Sequence, residues 1–156
     1  MPIANSLRNF MLTEGVKYGV LPHSHTSTSS ETAQAAHVPG DRLAKAVLLE
    51  DDNGYLLAVL PASHRLELGV LHHALHRRLG LATEGEVGAL FRDCELGAIP
   101  PFGAAYGIDT ILDDSLMDQP EVYFEGGDHE ELIHMSGEQF CQLFAGGRHG
   151  RISRHA

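Results

Sequence analysis

Tryptophan is absent from this chain, and only 6% of its residues are aromatic. A core without large rings must be filled by aliphatic side chains, and the 43% hydrophobic content supplies them at the level of an ordinary globular protein. Cysteine occurs twice, as Cys94 and Cys141, in a spacing that fits neither a metal site nor a disulfide framework; reduced thiols in a cytoplasmic compartment are the expectation. No apolar run is long enough to cross a bilayer, and no basic-then-apolar leader opens the chain, so no membrane partner is expected. Lysine is scarce: of eleven Lys and Arg residues, only Lys17 and Lys45 are lysines. Positive charge is outnumbered by 21 Asp and Glu, for a net charge of −10 with histidines neutral. That balance argues against broad, charge-driven binding to nucleic acid, DNA included, which needs a basic stripe. The local exception is the segment 148–156, where Arg148, Arg151 and Arg154 stand with His149 and His155; a frayed, solvated tail is expected there. At 156 residues the chain is expected to be one domain, residues 1–156, with its core over roughly 28–145.

What is present is organised by caps and turns. Leu7, Phe10 and Met11 share one side of a short helix over Ser6–Leu12, and Tyr18–Leu21 reads as a brief strand before Pro22. Thr28-Ser29-Ser30-Glu31 is a capping box that opens a helix over Ser29–His37, stopped by Val38-Pro39-Gly40. Leu43–Glu50 and Tyr55–Leu60 are apolar on both faces and read as central strands, joined through Asp51-Asp52-Asn53-Gly54, whose Asn-Gly favours a hairpin. Leu68, Leu71, Leu75 and Leu79 give a helical period over Leu66–Leu79. Thr83-Glu84-Gly85-Glu86 is a second capping box, opening a helix through Phe91. Ile108–Leu112, Val122–Phe124 and Glu131–Met135 read as strands, with a turn at Gly126-Gly127-Asp128. Ser136-Gly137-Glu138-Gln139 caps a last helix that Gly146-Gly147 ends.

Two features carry candidate chemistry. Lys45 interrupts an otherwise apolar central strand, where an ammonium costs free energy unless it reaches water, a partner or a ligand. It is either a snorkelling side chain at a sheet edge or a cation aimed into a pocket to hold a phosphate, a carboxylate or a developing oxyanion. The second is the uncharged stretch Gly97-Ala98-Ile99-Pro100-Pro101-Phe102-Gly103. Two consecutive prolines stiffen a loop, and flanking glycines let its backbone approach a ligand closely. It is either a structural turn or a rigid frame holding N–H groups toward a substrate oxygen.

Other groups have weaker claims. His72 and His76 are spaced i, i+4, but His73 stands where a metalloprotease helix needs Glu, and no third ligand is evident; no metal is assigned. Cys94 lies near the loop, where an incidental thiol competes with a reactive one. His64 ends a strand and is a pocket candidate, His23 and His25 flank the start of the domain, and Tyr106 and Asp109 follow the loop as supports.

Taken in order, a strand lysine before an Asn-Gly hairpin, Gly-x-x-x-Pro-Phe-Gly (Gly97, Pro101, Phe102, Gly103) and a closing Gly-Gly-Asp-His resemble the YbaK/prolyl-tRNA synthetase-associated editing domain family. The resemblance implies a mixed α/β fold: a curved, partly barrel-like mixed sheet of about six or seven strands surrounded by helices. It implies a free-standing aminoacyl-tRNA deacylase acting on the tRNA 3′ end, with an aminoacyl-tRNA synthetase as a further partner, no cofactor and no protein nucleophile. Lys45 matches the family lysine, and Gly97 and Gly103 frame the loop that would serve the oxyanion. Pro101, Phe102, His129 and His64 are the substrate-binding candidates, with Asp128 beside His129. The competing class is a non-catalytic, editing-like module that senses an amino acid or nucleotide for a regulatory partner; a hydrolase of some small ester is a third.

Overall fold

The computed structural model describes residues 3–156. Its helices are α1 (Asn5–Glu14), α2 (Ser29–Ala36), α3 (Leu68–Leu75), α4 (Glu84–Leu90), α5 (Asp114–Met117) and α6 (Gly137–Gln142). Its strands are β1 (Gly19–Pro22), β2 (Leu43–Asp51), β3 (Gly54–Pro61), β4 (His64–Leu66), β5 (Gly80–Leu81), β6 (Asp109–Asp113), β7 (Glu121–Glu125), β8 (Glu131–Ser136), β9 (Arg148–Gly150) and β10 (Ser153–His155). They form an eight-stranded mixed sheet in the order β1-β8-β7-β2-β3-β6-β9, with β5 pairing β2 beside that path, and a small β10-β4 ribbon. The sheet is curved and open, and the fold class is the mixed α/β one expected.

Alternation along the central strands sorts the core into two layers. Ala44, Val59, Leu112, Val122, Phe124 and Ile133 face α1, α5 and α6, whose Leu7, Met11, Leu116 and Phe140 complete that layer. The opposite face carries Leu43 and Leu132 against Ala33 and Ala36 of α2, and Leu49, Ala58 and Ile111 against Leu71 of α3. Lys45 belongs to this second face, since it lies two residues from Leu43 and from Val47 on β2.

Two of the caps act as the sequence implies. Thr83 and Glu86 close a complete capping box and Ser136 accepts from the Gln139 N–H. The box expected at Thr28 is half-formed: Thr28 accepts from the Glu31 N–H, while the Glu31 carboxylate takes the Ser27 N–H instead of that of Thr28.

Three further expectations are corrected. The helix over Leu66–Leu79 shrinks to Leu68–Leu75: Leu66 is taken by the pairing of β4 with β10, and His76 adopts φ 53°, a left-handed residue that ends the helix. The hairpin turns on Asp52 and Asn53, with Asp51 paired to Gly54, so Gly54 at φ 128° opens the second strand instead of sitting in the turn. The C-terminal segment is not frayed. Arg148–Gly150 pairs parallel with β6, Ser153–His155 pairs antiparallel with β4, and Ile152 is 2% exposed within the α3 layer. Buried Asp113 fixes this return by accepting the Ile152 N–H at 2.9 Å. Such pairing joins segments tens of residues apart, which no local pattern announces.

Candidate active site

The candidate site begins where the main sheet divides. On one edge of β2, Leu43 and Ala44 pair with Tyr123 and Phe124 of β7, and Leu49 and Glu50 pair with Leu81 and Gly80 of β5. Among the described residues no strand pairs with positions 45–47 along that edge, so β7 and β5 part there. Lys45 and Glu125 are the next residues after the last β2–β7 pair, and strand alternation puts both on the α2 face.

Lys45 is half-buried, and its Nζ donates to the His64 carbonyl at 2.9 Å. It makes no ion pair among the described residues. Burial first, and the Arg65 guanidinium second, hold its pKa below the usual lysine value. A cation that keeps spare N–H donors and meets another cation is poised for an anion. His64 therefore meets Lys45 through its backbone, while its ring turns away, with Nδ1 2.9 Å from the Ser153 hydroxyl.

Glu125 organises the other side. Its carboxylate is buried, with Oε1 3.2 Å from Nε2 of His23 and Oε2 3.1 Å from Nδ1 of His129. Thr32 of α2 donates to Oε2 at 3.0 Å, and Thr26 lies 2.6 Å from the Thr32 hydroxyl. The far nitrogen of each histidine meets a carbonyl: Nδ1 of His23 the Ser24 carbonyl at 2.7 Å, and Nε2 of His129 the Leu96 carbonyl at 2.6 Å. Carbonyls only accept, so those nitrogens carry the ring protons. His129 itself is held at φ 59°, and Asp128 supports the turn by accepting the Glu130 and Glu131 N–H groups.

This cluster grips the loop. Leu96 precedes Gly97, which adopts φ 82°; a Cβ on Gly97 would stand 3.0 Å from the Ser27 carbonyl and 3.1 Å from the His129 ring. Glu95 is tied to the same turn by its N–H donating to the Gly127 carbonyl at 2.7 Å. Gly97 is exposed, and its N–H makes no hydrogen bond among the described residues. The rest of the loop dives inward. Ala98 to Gly103 are buried, and the Phe102 ring is 1% exposed, edge-on to Phe124 at 5.1 Å and near Phe10, Phe140 and Phe144. Gly103 packs so closely that a Cβ would overlap Thr110 Oγ1 and the Ile108 carbonyl.

The structure thus brings Gly97 to His129, and Lys45 to the His64 backbone, on the side of the sheet where Glu125 lies. Phe102 instead anchors the loop in the opposite layer, with Pro101 and Gly103 buried beside it. Glu125, Thr26 and Thr32 went unread in the sequence, and His23 only flanked the domain there; a glutamate closing the apolar strand Val122–Phe124 was the available signal. Cys94 is no nucleophile: burial pushes its thiol up to about 12, and the Tyr106 hydroxyl lies 3.3 Å from it. The outer groove beside the loop, about 710 Å³, is rimmed by Asp93, Glu95, Asp128 and Glu130. Among the described residues no helix is long and apolar enough to cross a membrane, and no group of three metal-ligating side chains gathers.

An open mixed sheet whose strands part beside Lys45 defines an α/β domain. The sequence matches the aminoacyl-tRNA editing domain family over residues 23–143, and the chain belongs to that family. Among solved structures, it is similar to a proposed trans-editing enzyme for prolyl-tRNA synthetase, at 27% identity and TM-score 0.82, over 99% of this chain and 98% of that one. The hypothetical protein APE2540 shares the fold at 22% identity and TM-score 0.84, over 96% of this chain and 100% of that one. So does part of a candidate signal transduction protein from Marinobacter aquaeolei VT8, at 21% identity and TM-score 0.78, over 95% of this chain but 30% of that one. No curated protein matches the chain by sequence.

Proposed function

We propose that this protein is a trans-editing hydrolase that removes a wrongly attached amino acid from the 3′ end of tRNA. The observation that carries the reading is that the family-matched region holds both an ammonium lacking an anion and an exposed glycine N–H with no acceptor among the described residues. An aminoacyl ester needs little activation: water must be placed, the carbonyl oxyanion stabilised and the cognate amino acid excluded.

In this mechanism water adds to the ester carbonyl, and the Gly97 N–H stabilises the oxyanion; such a donor is worth about 3–4 kcal/mol in the transition state. The intermediate collapses with cleavage of the bond to the ribose oxygen, which takes up the proton lost by the attacking water. Free amino acid and uncharged tRNA leave. Lys45 exchanges the His64 carbonyl for a phosphate or the developing charge of the substrate terminus. Glu125 and His129 are positioning residues that hold Leu96 and so set Gly97, while Pro101, Phe102 and Gly103 stiffen the loop. A raised thiol at Cys94 supports a reading with water, not a side chain, as nucleophile.

The test is deacylation of a panel of mischarged tRNAs, chiefly alanyl- and cysteinyl-tRNA for proline, by wild type and Lys45→Ala. Turnover of one member that collapses in the variant supports the reading and names the substrate. A folded protein that turns over none of them overturns it.

A further inference from the structure

We infer that the ribbon of β4 and β10 is a docking surface for the phosphate backbone of the substrate RNA, reached by phosphates next to the terminus that Lys45 holds. The inference rests on the editing reading and, through β10, extends beyond the family match, which ends at residue 143.

The pairing itself is the first observation. Arg154 stands directly opposite Arg65, and His155 opposite His64, their imidazoles 5.6 Å apart. Like charges directly opposite across a two-stranded ribbon oppose its formation. Both arginines are exposed, and neither makes an ion pair among the described residues. They share one wall of an open groove of about 450 Å³ with Leu66, Glu67, Gly69 and Val70.

Position is the second. The carbonyl that holds Lys45 belongs to His64, the residue preceding Arg65, and the Arg65 charge is felt at Lys45. Lys45, Arg65 and Arg154 therefore lead from the sheet division to the surface as one cationic track. Two carboxylates face it: Glu67 on the groove wall and Asp41, which lies 3.6 Å from His155 and accepts from the Ser63 hydroxyl.

Contrast with the rest of the molecule is the third. The chain carries −10 overall, and the groove beside the Gly97 loop is rimmed by five carboxylates, Asp93, Glu95, Asp128, Glu130 and Glu131, against the single cation Arg92. A polyanion is repelled from that side and steered to the arginine ribbon.

The experiment measures binding of uncharged tRNA by fluorescence anisotropy across a salt series, for wild type, Arg154→Ala, the Arg65→Ala/Arg154→Ala pair and the charge-matched Arg8→Ala on α1. The pair is expected to weaken binding about tenfold at moderate salt and to flatten the slope of log K against log salt by about 1–2, the value for one or two lost phosphate contacts. Arg154→Ala should show part of that loss with its melting temperature unchanged or raised, since it relieves a like-charge pair. Unchanged affinity and slope, or an equal loss in Arg8→Ala, overturns the inference. Binding that depends on the ribbon in a protein that hydrolyses no mischarged tRNA supports the surface while removing the deacylase reading, so the two failures are distinct.

Discussion

Glu125 and His129 meet at 3.1 Å across the turn joining β7 to β8, and the same carboxylate takes His23 at 3.2 Å on its other oxygen. Each histidine spends its remaining nitrogen on a carbonyl, one of them Leu96 beside Gly97. Glu125 is therefore the strut between the N-terminal segment, α2 and the loop.

Glu125→Ala removes both oxygens, so His23, His129 and Thr32 each lose a buried partner. Breaking a buried charge-assisted network costs about 3–5 kcal/mol when a partner is left behind. The expected outcome is a lower melting temperature and a kcat reduced about ten- to a hundredfold, with KM for the mischarged tRNA changed less. A kcat equal to wild type would show that the strut does not set the loop.

The two loop glycines predict opposite phenotypes. Gly97→Ala forces a left-handed residue at φ 82° and brings a methyl to 3.0 Å from the Ser27 carbonyl, but the position is exposed and can yield. Its cost is about 1–3 kcal/mol of backbone strain, and its main effect is expected on turnover, because the free N–H is displaced. Gly103→Ala would drive a Cβ into the Ile108 carbonyl, just before β6, and into Thr110, so loss of folded protein is expected ahead of any kinetic change. Thermal melts alongside single-turnover deacylation separate the two. Equal melting losses in both variants would contradict this division of roles.

That division also marks what the sequence could convey. The N-cap at Thr28, the capping box at Thr83, the hairpin strands around Asp51 and the oddity of Lys45 were legible because each is written in adjacent residues. Phe102 and Gly103 were legible as a motif but not as anchors, since their partners Phe124, Phe140 and Thr110 arrive from other elements. β9 and β10 were hidden for the same reason: a basic segment reads as solvated until β6 and β4 are seen to need partners. Glu125 escaped because a glutamate at a strand end reads as a polar terminus, and only the fold brings His23 and Thr32 to it.

Cys94 sits beside the loop without serving it. Burial pushes the thiol up to about 12, so almost none is thiolate near neutral pH. Cys94→Ser is expected to leave deacylation within about twofold of wild type, and Cys94 in the native protein should resist a thiol reagent at pH 8 until denaturant is added. Fast native labelling accompanied by loss of activity would restore a thiol mechanism.

Lys45 gives the pH dependence. Burial, then Arg65, lower its folded pKa below 10.5. Between that folded value and 10.5 the unfolded chain binds the extra proton, so stability rises with pH across the window, and the charged lysine's penalty is fully present below it. Lys45→Met should therefore fold at least as stably as wild type at pH 7 while losing deacylation, which distinguishes a functional cation from a structural one. The activity limb runs the other way: the ammonium disappears as pH rises through the folded pKa, so the enzymatic rate, corrected for spontaneous ester hydrolysis, is expected to fall on the alkaline side before pH 10.5. Lys45→Arg keeps its charge throughout, so whatever activity it retains should lack that limb. A wild-type rate flat to pH 10.5 would mean that the charge on Lys45 is not what the substrate terminus meets.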